Sequence, residues 1–263
     1  MVVGAENGSR PACSSRVREV PLAVPGDRAA VRVGQRYSAL VQLRPAGPPP
    51  GVSVKPRLRG VSHQVGFFVA LPLGVILGIG AEAGRARVAA AVFSASVAAM
   101  FGASALYHRR TWTPAWRRWL RRLDHAGIYG LIAGTYTPFG LLVLDGAWRI
   151  SVLAIVWSGA LAAIVLRFVW VSAPKWLAAL LGLILGWVGL VVFPQLLDRV
   201  GVGPSLLLLA GGLCYTLGAL IYVRRKPDPF PTVFGYHELF HALVLVAVAF
   251  QYVVIAFFVV PRA

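Results

Sequence analysis

The sequence predicts an all-α integral membrane protein: a bundle of seven transmembrane helices with a cytoplasmic N-terminus. Three observations carry this prediction. Hydrophobic residues make up 58% of the 263-residue chain and charged residues 13%, against about 45–50% and about 25% in a soluble domain. Beyond residue 60 the apolar residues gather into seven runs, each near the roughly 20 residues a helix needs to cross a bilayer. The basic residues, source of a net charge of +17, fall mostly on alternate loops. This composition excludes overall disorder, which requires low hydrophobicity. A strongly basic chain would otherwise suggest nucleic-acid binding, but that needs the charge on one folded, water-facing surface. No nucleic-acid partner is expected.

Residues 1–60 come first and differ from the rest. They hold ten basic residues, three acids and the run Pro48-Pro49-Pro50, with no sustained helical or strand period. We read them as a basic, disordered tail. The tail lacks the apolar core of a secretory signal. Cys13 lies in this tail and Cys214 in an apolar run, so neither a disulfide framework nor a paired metal knuckle is available.

The membrane domain is expected over 61–260. Its spans fall near 61–81, 88–108, 124–144, 150–170, 176–193, 203–222 and 236–260. Helices satisfy their own backbone in lipid, where an open strand cannot. Gly, Ala and Ser inside the runs allow close helix approach, and Pro138 is expected to kink the third helix. Seven spans place the two termini on opposite sides. With the N-terminus inside, twenty-one of the 26 basic residues lie inside. Only Arg85, Arg87, Arg149, Arg199 and Arg262 lie outside. The positive-inside rule selects this arrangement. The 109–123 loop carries six arginines with Trp112, Trp116 and Trp119 between them. Their spacing suggests a short helix lying in the headgroup layer, with the tryptophans inward, serving as ordinary membrane anchors and topology charges rather than as a specific lipid site.

On this topology all five histidines, His63, His108, His125, His237 and His241, fall at cytoplasmic helix ends. His237 and His241 are four residues apart and share one helix face. Such a pair is a common way for one helix to offer two metal ligands, and His108 can supply a third. Three neutral imidazoles suit Zn²⁺ with a fourth position open. Asp124, at the same depth, suits a general base acting on a zinc-bound water. Ser104, one turn before His108, suits a supporting partner that orients a histidine or the carboxylate. His63 and His125 read as interface residues, and Glu238 as an interface or supporting residue. A carboxylate at a helix start is also favoured simply by the helix dipole.

The stretches Ser104-Ala-Leu-Tyr-His108, Asp124-His125, Ala133-Gly-Thr-Tyr-Thr-Pro-Phe139 and His237-Glu-Leu-Phe-His241 resemble, in order, motifs of a known group. This is the hemolysin III group of the progestin and adipoQ receptor family, and the resemblance spans about 61–260. The SxxxH, Asp and HxxxH motifs also resemble those of a wider superfamily that includes alkaline ceramidases. The resemblance implies seven helices, a cytoplasmic N-terminus and zinc held near the cytoplasmic face by His108, His237 and His241. It also implies Asp124 at the metal-bound water and Ser104 beside it. The chain departs from the pattern ahead of His63. Relatives commonly carry an acidic residue and an Asn there, and this chain has Lys55-Pro-Arg-Leu-Arg59.

Three functions are open at this stage. One is a zinc-dependent hydrolase acting on a lipid amide bond, with Asp124 as base. The second is a non-enzymatic membrane-homeostasis or sensing protein in which zinc is structural. The third is a cytolytic pore-former, as the group's name suggests. Membrane lipids, and a lipid-like substrate or ligand, are the expected partners. The expected location is the bacterial plasma membrane.

Overall fold

The structure, a computed structural model, describes residues 55–170 and 172–262. Among them every regular element is a helix, and extended backbone pairs only at one bridge between Phe230 and Phe234. Seven helical segments follow one another. They are α1 (Val61–Gly80), α2 (Arg85–Arg109), α3 (Pro114–Leu142), α4 (Gly146–Val169), α5 (Lys175–Val200), α6 (Val202–Arg224) and α7 (Tyr236–Arg262). The expected tail falls on residues outside the described ones up to 54. Arg57–Gly60 form a turn that leads into α1.

Local chemistry sets the less regular boundaries. Gly60 stands at φ +77° before α1, a left-handed conformation that glycine adopts without a steric penalty. Within α5 the α-helix gives way to a 3₁₀ turn at Val188–Val192 before resuming at Phe193. Pro194 has no N–H to return to the preceding turn, so the ladder is rearranged there. Near its end α7 passes through a π turn at Ile255–Val259 before Pro261.

α3 departs most from expectation. The 109–123 segment is not a separate interfacial helix, because residues 114–123 are the first turns of α3 itself. Thr113 caps the helix by accepting the N–H of Trp116, Pro114 takes the first helical position, and nothing between them and Pro138 interrupts the ladder. Asp124 therefore sits about three turns inside a helix, and a dipole effect at a helix start does not account for it. The other six helices are each long and apolar enough to cross a membrane. α3 has 29 residues but carries Asp124, His125, Thr135, Tyr136 and Thr137 in its inner part. The bundle shelters this polarity: Thr135 and Thr137 are buried, and each hydroxyl bonds a carbonyl one turn back, at 2.8 Å and 2.9 Å.

α3 packs against α2 and α4 and, more lightly, α5, while α1 and α6 each pack against α7. One apolar core joins Leu77 of α1, Phe93 and Phe101 of α2, Leu131 of α3 and Val244 and Val248 of α7. A second joins Tyr129 and Ala133 of α3 to Val152, Val156 and Ala160 of α4 and Leu185 of α5. The outward faces are apolar as well: Phe68, Ile79, Ile150 and Phe257 are all more than 60% exposed, as a lipid-facing surface requires. The start of α1, the end of α2 and the start of α7 meet at one end of the bundle, beside the Asp124 turn of α3.

Candidate metal centre

α7 begins where its first turn is well capped. The Gly235 N–H donates to Glu238 Oε2 at 2.9 Å, and the Tyr236 N–H donates to Asp228 Oδ1 at 2.7 Å. The helix thus starts one residue before His237, and the i, i+4 spacing places His237 and His241 on one face. His108, in the last turn of α2, meets them from the opposite chain direction. Its Nε2 is 3.2 Å from His237 Nε2. One ring nitrogen from each of His108, His237 and His241 lies within 4.8 Å of the others, and these three could hold a metal ion.

Asp124 faces the same point. Its Oδ2 is 3.6 Å from His108 Nε2, beyond direct hydrogen-bond reach but within the reach of a small bridging group. Ser104 is 1% exposed. Its Oγ lies 2.8 Å from His63 Nδ1, so among the histidines it engages His63 and not a member of the trio. His125 lines the cavity next to Asp124 and is not part of the trio.

Two residues take on roles that sequence reasoning missed. His63 is not an interface residue but 3% exposed, and its ring stacks on His241 with centroids 3.8 Å apart and planes 9° apart. The sequence placed His63 at the right depth, but only the packing of α1 on α7 turns it toward His241. Arg167, counted in the sequence merely as an orientation charge, is 3% exposed and lines the cavity. The one available signal was its position inside the run Val165-Leu-Arg-Phe-Val169. Glu238 is 2% exposed, ion-paired with Arg59, and supplies the α7 cap.

The cluster opens into a cavity of about 240 Å³ that runs between α3, α5, α6 and α7. At one end stand Ser104, Asp124, His237 and His241, and at the other Leu144, Val152, Phe193 and Leu196. Between them the walls are mostly apolar, with Thr135, Tyr215 and Gln251 as a polar patch midway. There Gln251 Oε1 accepts from the Tyr215 hydroxyl at 3.1 Å.

Comparison with known proteins agrees with this architecture. The profile of the Haemolysin-III related family matches residues 52–252. Hemolysin-3 of Bacillus cereus is 32% identical over 206 residues, covering 77% of this chain and 91% of the relative. The Hemolysin-3 homolog of Bacillus subtilis (strain 168) is 34% identical over 204 residues, covering 76% and 92%. With its apolar helices and a histidine cluster compatible with metal binding, the chain is a multi-pass integral membrane protein that belongs to the Haemolysin-III related family.

Proposed function

We propose that this protein is a zinc-dependent hydrolase of the bacterial plasma membrane that cleaves an amide bond in a lipid near the cytoplasmic face. The observation that carries the reading is the continuity between a histidine–aspartate cluster and a largely apolar cavity inside the bundle. The donor set fits the metal. Zn–N bonds of about 2.0–2.1 Å hold tetrahedral ligands about 3.3 Å apart, and the His108 and His237 nitrogens are 3.2 Å apart. Nδ1 of His241 is buried without a hydrogen-bond partner among the described residues.

A zinc ion bound there would supply Lewis-acid polarisation and an acidified water at neutral pH. The chain supplies the rest. His108, His237 and His241 would hold the ion through one ring nitrogen each. The Asp124 carboxylate takes the proton of the attacking water at Oδ2 and returns it to the departing amine. Hydroxyl is thereby added to the carbonyl carbon and a proton to the nitrogen as the C–N bond breaks. The apolar walls take the acyl chain, which places the polar end of the lipid at the cluster.

The test is the release of fatty acid and amine from N-acyl lipids by the full chain in nanodiscs. Hydrolysis by the zinc-loaded protein, lost on chelation and in Asp124→Asn, supports the reading. Hydrolysis indifferent to both would sink it. A structural role for zinc is the second reading, favoured by the way the trio joins the ends of α2 and α7; it requires Asp124→Asn to leave the cellular phenotype unchanged. The relatives' name raises a lytic reading, which would gain support if a His108/His237/His241 triple variant still lysed erythrocytes.

A further inference from the structure

We propose that the entry to helix α1, Arg59-Gly60-Val61-Ser62-His63, is a positioning device for the histidine centre, with Arg59 and His63 as its positioning residues. The inference rests on reading His108, His237 and His241 as a metal site, and it names what holds those three side chains in place.

The short segment reaches each of the three histidines. Gly60 lies against His108: a Cβ built at Gly60 would approach His108 Cβ to 2.6 Å, and its φ of +77° excludes most other residues. Arg59 reaches the turn that carries His237. Its guanidinium Nε pairs with Glu238 Oε1, while the other Glu238 oxygen accepts the Gly235 N–H at 2.9 Å. One carboxylate thus anchors both the α1 entry and the start of α7. His63 stacks in parallel on His241 at 3.8 Å, and its Nδ1 is held by Ser104 Oγ at 2.8 Å. That fixes His241 against a side chain of α2. The segment is itself docked by backbone, the Arg57 N–H donating to Thr232 O at 3.0 Å and the Leu58 N–H to Val233 O at 3.1 Å.

Packing alone does not account for these residue types. A leucine or phenylalanine would fill the His63 site without burying polar nitrogens, whereas His63 Nε2 is buried with no partner among the described residues, a costly arrangement. A largely buried ion pair such as Arg59–Glu238 is weak evidence for stability and better evidence for a fixed geometry. Outer partners that hydrogen-bond metal ligands typically change affinity about 10–100-fold when lost, and that range is the scale expected here for contacts that act by stacking on His241 and by anchoring the turn of His237. Here a cation on the α1 entry meets a carboxylate on α7.

The experiment measures Zn²⁺ affinity by chelator competition, and the Co²⁺ ligand-field spectrum, on the full chain in detergent. The variants are His63→Leu, His63→Phe, Ser104→Ala and Arg59→Gln, with Arg59→Lys as the conservative control. Thermal unfolding of each metal-free variant is followed in parallel. His63→Leu and Arg59→Gln are expected to bind one ion about 10–100-fold more weakly with a shifted Co²⁺ spectrum. Ser104→Ala is expected to fall between them and wild type, and Arg59→Lys to recover most of the affinity. Wild-type affinity and spectrum in the His63, Ser104 and Arg59→Gln variants overturn the inference. So does a loss that tracks metal-free stability alone. A wild-type chain that takes up neither metal overturns the metal reading beneath it, a separate and distinguishable result.

Discussion

The Nε2 atoms of His108 and His237 lie 3.2 Å apart, although 129 residues separate them in the chain. One closes the last turn of α2 and the other opens the first turn of α7. Two ring nitrogens that close must share a proton or face a common cation. The third imidazole, His241, converges on the same point, an arrangement compatible with a metal ion.

Metal content follows from this convergence. Purified protein is expected to carry about one zinc per chain, the capacity of a single three-histidine site. His241→Ala or His108→Ala should reduce affinity by more than the roughly 100-fold that marks the loss of an outer partner. Elemental analysis beside chelator competition checks it, and unchanged zinc in both variants contradicts it.

Asp124 distinguishes the proposed hydrolase from a protein in which zinc is only structural. Its carboxylate is 3.6 Å from His108 Nε2, and Asp124→Asn keeps the size of the side chain while removing its basicity. Zinc content and thermal stability should stay near wild type. Amide hydrolysis should fall about 10²–10⁴-fold, the usual contribution of a general base. Release of fatty acid from an N-acyl lipid is the readout.

Close approach of α2 and α3 depends on Gly134. A methyl group there would run into the Ser96 side chain, whereas one at Gly130 meets open space. Gly134→Ala should destabilise the bundle by about 1–3 kcal/mol, as overpacking does, and lower the unfolding temperature in detergent. Gly130→Ala should be neutral or slightly stabilising. Equal effects at the two positions would remove the packing argument.

Orientation is testable by thiol labelling in intact cells. With Cys13 and Cys214 replaced, Glu82→Cys in the α1–α2 loop should react with a membrane-impermeant reagent. Pro231→Cys in the α6–α7 loop should react only after lysis. The reverse pattern would overturn the orientation inferred from the loop arginines.

Much of the fold was legible because a bilayer imposes a simple length rule. Seven apolar runs became seven helical segments, five of them with ends shifted by at most four residues. α5 runs seven residues past its expected end, and α3 begins ten residues before its expected start. Its first turns were read as a separate interfacial segment because arginine and tryptophan alternate there, but Thr113 and Pro114 start a helix that continues without a break into the polar inner part. The histidine trio was legible for a local reason: four-residue spacing fixes a shared face, and a common depth brings His108 level with it. His63 was not legible. Its depth was visible, but its direction depends on how α1 is rotated against α7, and an apolar helix surface does not record that rotation. The same holds for Arg59 and Glu238, which are 179 residues apart, and for Arg167, which the charge count treated as a surface residue.

The sequence by itself determined that this chain crosses a membrane as a helical bundle, and which side chains could serve as metal ligands. Hydrophobic length and helical period are properties of contiguous residues. Only the tertiary structure decided which histidine stacks on which, what anchors the start of α7, and that the cluster opens into an apolar cavity. Those follow from how seven similar apolar surfaces interdigitate, and packing between distant segments leaves no period in the chain.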